Sequence, residues 1–309
     1  MSGTVFKWGT PLNNNQLVDI YFKTFRKLEL PGIEVDKINA SSLRLEFRKD
    51  DNNPNIPIVY IRCDRTNKAL DMVINYCTGQ IMHCDNIFAL YELKKSIHID
   101  ADKPTRKKEE IIREADKYIT AINDKLPEQA FLRECKFIIT WWYDDKHSYD
   151  GTWVVRWGRR EGDYKYKKDY IALGIYEKNG LESYSYDFFS DYHPPKNLSI
   201  SQSQAIETAQ KNVVKIIHSP YFAGAFNGYK IGKVDSSELM IVNPNYAQKK
   251  MVYNSIHPDP YARLAWVVRF ECIPTVKNSP SGGLCEVWID IETGEILGGE
   301  GTSLSESVG

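Results

Sequence analysis

The chain has 309 residues, of which 42% are hydrophobic and 26% charged, a composition typical of a soluble globular protein with a sizeable core. Its 40 lysines and arginines nearly balance its 41 aspartates and glutamates, so no overall field would attract nucleic acid or an anionic membrane. No apolar run approaches the roughly 18 residues needed to span a bilayer, and the chain as given shows no secretory signal peptide.

The first segment, residues 1–100, is predicted to hold one helix followed by several strands. Residues 14–28 carry apolar side chains at helical spacing behind an asparagine cap. Alternating apolar and polar residues then predict strands at 42–48, 56–63 and 69–77, and Thr78-Gly79 predicts a reverse turn after the last of them.

The second segment, residues 101–195, repeats this order. A charged, proline-containing stretch at 100–108 is typical of a linker, and Thr105 is predicted to open a helix with one apolar side. Strands are predicted at 137–143, 151–157, 170–176 and 181–186, with Asn179-Gly180 as a hairpin turn. Pro194-Pro195 marks the next boundary.

The third segment, residues 196–300, again begins with a helix, for which Ser201 is the predicted N-cap. A short strand is predicted at 238–242, and two strands at 265–270 and 286–299 complete the segment, the second turning at Thr293-Gly294. The Ser- and Gly-rich residues 301–309 are predicted to form a flexible tail.

Internal similarity indicates that these three segments are copies of one module. The stretches VYIRC at 59–63, WVVRW at 153–157 and WVVRF at 266–270 align, so that Arg62, Arg156 and Arg269 correspond. Each stretch is preceded by one helix and followed by a strand that runs into a turn with glycine. The prediction is therefore an α+β protein of three tandem modules, each with one helix packed on an antiparallel sheet.

Alternation within the strands also predicts which side chains face the helix. The predicted helix-facing core comprises Trp153, Trp157, Trp266 and Phe270. Arg156 and Arg269 then point away from the helix, and we expect Arg269 to pair with Asp290 across neighbouring strands. The alternative is a row of solvated charges.

Residues 199–299 resemble the PepSY domain family. The resemblance is carried by a helix, a strand aromatic and a final turn, at Ala205, Ala209, Trp266, Asp290, Thr293 and Gly294. The upstream modules resemble the family less closely, because Asn75 stands in the position of Asp290 and Asn179-Gly180 replaces Thr-Gly.

The resemblance implies a PepSY or cystatin-like fold and an extracytoplasmic location, either secreted or in the cell envelope. It also implies a role in inhibiting or regulating peptidases, and it supplies no catalytic residues to transfer.

A search for chemistry finds no catalytic, metal or cofactor motif. None of the six cysteines is in C-x-x-C spacing, and no histidine pair has the H-E-x-x-H pattern. The glycines at 224–232 lack the lysine of a phosphate-binding loop. His83 and Cys84 are adjacent, but on a strand they would point to opposite faces.

Two surface features remain as candidates. Trp141, Trp142 and Tyr143 place at least one large aromatic away from the helix, and with Arg156, Arg269 and Asp290 they are a candidate partner surface, unless packing between modules covers them. Cys272 and Cys285 flank the turn between the last strands, so they could lie opposite each other and form a disulfide, or remain two free thiols.

These features favour a non-catalytic module that binds a protein or peptide, such as a peptidase, through a sheet edge or an open sheet face. Nucleic acid is not an expected partner. Two alternatives stay open: a structural or envelope-associated repeat protein, and an enzyme whose residues assemble only in three dimensions.

Overall fold

A computed structural model gives an α+β fold in which strand pairing is mainly antiparallel. The structure describes residues 9–30, 33, 35–50, 56–63, 70–87, 104–141, 149–177, 180–188, 190–217, 229–244, 261–275 and 283–303. The chain divides into two compact units. The first comprises Met1–Arg159 and Tyr170–Phe188, and the second comprises Arg160–Asp169 and Phe189–Gly309.

The first unit contains two helices and a sheet. Its helices are α1 (Asn14–Leu28) and α2 (Lys108–Asn123). The strands in chain order are β1 (Leu43–Lys49), β2 (Pro57–Cys63), β3 (Leu70–Asn75), β4 (Ile81–Asn86), β5 (Ala130–Trp141), β6 (Tyr149–Glu161), β7 (Tyr164–Tyr176) and β8 (Gly180–Tyr186). Neighbours across this sheet follow the order β1-β2-β3-β4-β8-β7-β6-β5, with β4 and β8 antiparallel. Two short 3-10 turns, Val35–Lys37 and Ala40–Ser42, precede β1.

The second unit has one helix in its described part. Its elements are β9 (Asp191–His193), α3 (Gln202–Ile217), β10 (Tyr229–Val242), β11 (Tyr261–Pro274), β12 (Gly283–Asp290) and β13 (Ile296–Ser303). The last four strands form an antiparallel sheet in chain order. β9 pairs in parallel with β11, and residues 165–166, which belong to this unit, pair in parallel with β10.

The starts of α1 and α3 are stabilised in the same way. In α1 the Asn13 side chain accepts from the backbone N–H of Gln16, whose side chain accepts from the Asn13 N–H. Ser201 and Gln204 form the same reciprocal pair at α3. Such a capping box satisfies two of the free N–H groups of a helix start, and both predicted caps are confirmed.

Helix α2 begins differently. It was predicted to open at Thr105 but starts at Lys108, and its N-cap residue Lys107 makes no side-chain capping bond. Instead the buried carboxylate of Glu177, at the end of β7, accepts from the N–H groups of Thr105 and Arg106 at 2.6 and 2.8 Å. The chain ahead of this helix is therefore held by a side chain 72 residues away from Thr105 in sequence.

The turns after β3 and β12 share one set of hydrogen bonds. The side chain of Asn75 accepts from the N–H groups two and three residues on, and Asp290 does the same. Gly79 and Gly294, each four residues after that side chain, have φ of 77° and 73°. Glycine adopts this left-handed region without a steric penalty, so the predicted Thr-Gly turns form where the sequence places them.

The core lies between the helices and one side of each sheet. In the first unit Trp153, Val155 and Trp157 of β6 are buried in one cluster with residues of α1 and α2. In the second unit Phe270 is buried against Ala205 and Ala209 of α3. Trp266 is only half-buried, and its indole N–H donates to the Ile200 carbonyl oxygen at 2.9 Å.

Several strands are longer than alternation predicts. β5, β6 and β7 extend beyond their predicted ranges, and the charged residues 160–169 are mostly strand. β13 includes residues 301–303, so the prediction of a flexible tail is wrong there, and residues 304–309 lie outside the described part. Backbone hydrogen bonds to β12 extend β13 to Ser303, although the Gly-rich sequence of β13 has a low strand propensity.

Candidate functional site

In the first unit one face of the sheet carries polar side chains that the two helices do not cover. Direct strand partners Met72, Cys84, Tyr184 and Leu173 form a buried row on the helix side. Side chains at the alternate positions point the other way. We call this second side the open face, defined by Tyr60, Arg62, Asp71, His83, Asp85, Arg156 and Tyr170.

Ion pairs and aromatic contacts connect neighbouring strands on the open face. Arg62 of β2 lies 3.8 Å from the Asp71 carboxylate of β3. Arg156 of β6 donates to Glu134 of β5, and its guanidinium lies 4.9 Å from the ring centroid of Tyr170 on β7. These partly exposed pairs contribute little stability individually, about 0.2–1 kcal/mol each.

His83 and Asp85 form a contact within β4 at the middle of the open face. The His83 Nε2 lies 2.9 Å from the Asp85 carboxylate. Burial by itself lowers the pKa of His83, but the bond to Asp85 and the charges of Asp85, Asp187 and Asp71 outweigh it, so the pKa is raised above its usual value. Neighbouring carboxylates at the centre of the open face therefore stabilise the charged form of His83. Cys84, next in sequence, is fully buried on the helix side, as its alternation predicts.

The predicted partner surface is only partly visible. Arg156 lies on the open face, as expected, and its aromatic neighbour there is Tyr170. Trp141 is the last residue of β5, whereas Trp142 and Tyr143 lie outside the described residues. Whether the three aromatics form a surface stays a prediction.

The predicted pair between Arg269 and Asp290 is wrong. Strand register places Arg269 opposite Glu286, and Ala265 opposite Asp290. The Arg269 guanidinium binds Glu286 at 2.9 Å and Glu238 of β10 at 2.7 Å. Asp290 is 2% exposed and pairs with Arg263 at 2.8 Å while it caps its turn, so it is not available to a partner.

Residues 160–169 supply the cations on the side of the second unit's sheet that faces away from α3. Trp288 on that side is fully buried, and the amines of Lys167 and Lys168 each lie 6.0 Å from the centroid of its indole. Lys167 binds the Glu286 carboxylate at 2.6 Å, and Lys168 binds Glu300 at 2.7 Å. Burial opposes ionisation of Glu286, but Lys167, Arg269 and the Trp288 N–H outweigh it and lower the pKa of this carboxyl. These lysines and glutamates therefore bind one another and stabilise the sheet of the second unit.

Cys272 and Cys285 are not directly opposite. Cys272 faces Gly283 and Cys285 faces Phe270, which offsets the two cysteines by two residues. Both are free, buried thiols beneath α3. They lie close enough to shift each other's pKa, which is lowered for Cys272 and raised for Cys285.

Sequence reasoning missed three functional or structural positions: His83, Lys167 and Glu177. His83 and Asp85 alternate on a strand, and this spacing alone places them on one face. Lys167 belongs to a Tyr- and Lys-rich stretch whose alternating pattern resembles that of a solvated charged surface. The burial of Lys167 depends on carboxylates that are distant in sequence, so the stretch alone does not reveal it. Glu177 follows a strand with no local sign that it binds a helix start.

Within the described residues, no group of three or more His, Cys, Asp or Glu side chains is arranged to hold a metal ion. In the same part of the chain, no helix combines the length and the apolarity required to cross a membrane.

Comparison with known proteins places a family at the C-terminal third of the chain. Residues 199–300 match the model of the PepSY family, described as the peptidase propeptide and YPEB domain. No curated protein matches the chain.

Two solved structures show weak overall similarity. The C-terminal domain of YpeB from Bacillus megaterium is 13% identical, with a TM-score of 0.42 over 95% of this chain and 99% of that one. An uncharacterized protein from Eubacterium rectale ATCC 33656 is 12% identical, with a TM-score of 0.45 over 92% and 82%. The family match at residues 199–300 contains α3, the strands β10 to β12 and most of β13, so the similarity to the PepSY family covers the helix and sheet of this part of the chain.

Proposed function

We propose that this protein is a non-catalytic module that binds another protein or a peptide, and that its partner is a peptidase outside the cytoplasm. The family description of residues 199–300 names peptidase propeptides, which supports the class of partner. PepSY domains are generally non-catalytic and extracytoplasmic, which supports the absence of a reaction and the location.

The single observation that carries the proposal is the sheet of the first unit. One of its faces is covered by helices, whereas the open face keeps polar side chains such as His83 and Asp85 about 40% exposed. Its outer strands, β1 and β5, each pair with one neighbour only in the described part of the chain. Polar faces that helices leave uncovered and strands that pair on one side only are the features by which antiparallel sheets receive extended peptides.

We further infer that the chain is built from three tandem copies of one module, at about residues 1–100, 101–195 and 196–300. Three times, one helix is followed by four strands that pair in succession. Arg62, Arg156 and Arg269 each lie on the second of those four strands, and each has a carboxylate on a neighbouring strand within 4 Å. The shared caps and turns of the first and third copies support the same reading.

The test is inhibition of a thermolysin-like metallopeptidase by the purified chain, together with capture of partners from the native extracellular fraction. The expected results are saturable inhibition, or recovery of one peptidase in stoichiometric amount. A spacer protein of the cell envelope would give neither result. Turnover of a substrate by the chain alone would instead show an enzyme.

A further inference from the structure

Strand β1 is an edge with regular geometry. It makes seven consecutive pairs with β2, from Leu43 opposite Cys63 to Lys49 opposite Pro57, without a shift in register. The other edge strand of this sheet, β5, has a register shift between Leu132 and Glu134. A bulge of this kind twists an edge and hinders the addition of a strand, so β1 is the better acceptor of the two.

The outward backbone groups of β1 can be assigned from its pairing. The Asp50 N–H donates to the Ile56 carbonyl oxygen at 3.0 Å, and Pro57 has no N–H to donate to Lys49. Hydrogen-bonded pairs alternate along an antiparallel ladder, so Arg48 and Glu46 bond inward to β2. Leu45 and Phe47 therefore direct their N–H and C=O groups away from β2, where an added strand would bond.

Arginines lie beside this edge on the open face. Arg44 is directly opposite Arg62, and like charges in that position destabilise a sheet. Arg48 and Arg62 place their guanidinium groups 4.9 and 5.1 Å from the ring centroid of Tyr60. Within the described part of the chain Arg44 has no ion-pair partner, and the Asp71 carboxylate is 3.8 Å from Arg62.

Side chains on the two sides of β1 differ in chemistry. Arg44, Glu46 and Arg48 alternate on the open face, whereas Leu45 and Phe47 lie on the other side. Phe47 is 49% exposed, and its outer surface is free although its ring contacts Tyr76 edge-on at 5.4 Å. Arg48 already binds the Glu46 carboxylate at 2.8 Å. A strand that adds to this edge would therefore meet Arg44, which has no ion-pair partner among the described residues, on one side and apolar side chains on the other.

We propose that β1 binds an extended peptide whose carboxylate side chains alternate with apolar ones, by adding it as a further strand of the sheet. The backbone of Leu45 and Phe47 supplies the hydrogen bonds, Arg44 and Arg62 bind the carboxylates, and Phe47 contacts the apolar residues. This inference rests on the proposed binding function and names the site and the ligand chemistry.

The test uses the full chain and a fluorescein-labelled eight-residue peptide that alternates glutamate with valine, with binding measured by fluorescence anisotropy. The expected result is saturable binding that weakens as salt rises, because exposed ion pairs are screened. Arg44→Glu should weaken binding at least about tenfold and Phe47→Ala several-fold. The matched variants on the other edge, Lys136→Glu and Ile138→Ala, should leave it unchanged.

Two further ligands separate strand addition from simple charge attraction. A peptide with N-methyl groups on alternate residues keeps its charges but cannot complete the ladder, and polyaspartate lacks the apolar positions. The inference would be overturned if either ligand bound as tightly as the glutamate–valine peptide, or if the β5 variants lost as much affinity as the β1 variants. Absence of binding at millimolar peptide would also overturn it. If a captured peptidase partner still binds the Arg44→Glu and Phe47→Ala variants, the β1 site is wrong while the general binding function stands.

Discussion

Replacing Glu177 by glutamine tests whether one carboxylate holds the start of α2. The Glu177 Oε1 accepts from the Thr105 N–H and hydroxyl, both at 2.6 Å, and from the Arg106 N–H at 2.8 Å. The Oε2 accepts from the buried Trp153 indole N–H at 2.6 Å. Glutamine can keep the first three bonds without their charge, but its amide group would place a donor against the indole N–H.

The expected loss of unfolding free energy follows from these bonds. A bond to a charged group contributes about 1.5–3 kcal/mol and a neutral one about 0.5–1.5, and a buried donor left without a partner costs about 1–3 kcal/mol. We therefore expect Glu177→Gln to destabilise the protein by about 3 kcal/mol. Glu207→Gln, on the exposed side of α3, is the matched control and should leave the stability almost unchanged.

Urea unfolding followed by tryptophan fluorescence measures the loss, and hydrogen exchange of peptides from α2 shows whether it is local. The pH dependence has a definite sign. Burial disfavours the Glu177 carboxylate, but its hydrogen bonds outweigh burial and lower its pKa. The stabilisation of the fold by the Glu177 carboxylate is therefore fully present above the pKa of an unfolded glutamate, about 4.3. It disappears as the pH falls through the lowered pKa of the folded state. A Glu177→Gln protein as stable as wild type at pH 7 would refute this account.

Three further predictions concern other polar groups. In the second unit, Lys167→Ala should lower the free energy of unfolding by about 2–3 kcal/mol in a thermal unfolding experiment, because it removes one partner from the nearly buried Glu286. The control Lys211→Ala, in the exposed ion pair on α3, should leave the stability almost unchanged. Asp290→Ala should lower the free energy of unfolding by about 2 kcal/mol. Asp290→Asn should lower it less, since asparagine keeps the turn bonds through its Oδ1 and loses the bond that Oδ2 accepts from Arg263. Equal losses measured by urea unfolding would contradict the capping role. On the open face, NMR titration should give His83 a pKa above the ordinary value of about 6.5, and Asp85→Asn should lower it. Because the pKa of His83 is raised on folding, its contribution to stability is present below the unfolded-state pKa and is lost as the pH rises through the folded-state pKa. A His83 titration that Asp85→Asn leaves unchanged would exclude the His83–Asp85 pair as the cause of the raised pKa.

Local features of the fold were predictable because their physics involves residues close in sequence. Asn13 and Ser201 cap their helices through bonds to residues three positions on, and the Thr-Gly turns need only a glycine that tolerates positive φ. Helix periodicity and strand alternation also identified the buried faces, including Trp153 and Phe270.

The candidate site was less predictable, because it depends on which strands are neighbours and in what register. His83 reaches the middle of the open face only because β4 pairs with β8. The sequence could not show which carboxylate would pair with Arg269, since a shift of a few residues between β11 and β12 exchanges Asp290 for Glu286.

The sequence by itself thus determined the order of the helices and most strands, two helix caps, the Thr-Gly turns and the similarity of residues 199–300 to the PepSY family. Only the tertiary structure decided that Lys167 is nearly buried and that Cys272 and Cys285 are offset. It also decided that β1 pairs in regular register with β2 alone among the strands that the structure describes. The physical reason is that caps and turns are satisfied within a few residues, whereas pairing and burial are set by contacts between residues far apart in the chain.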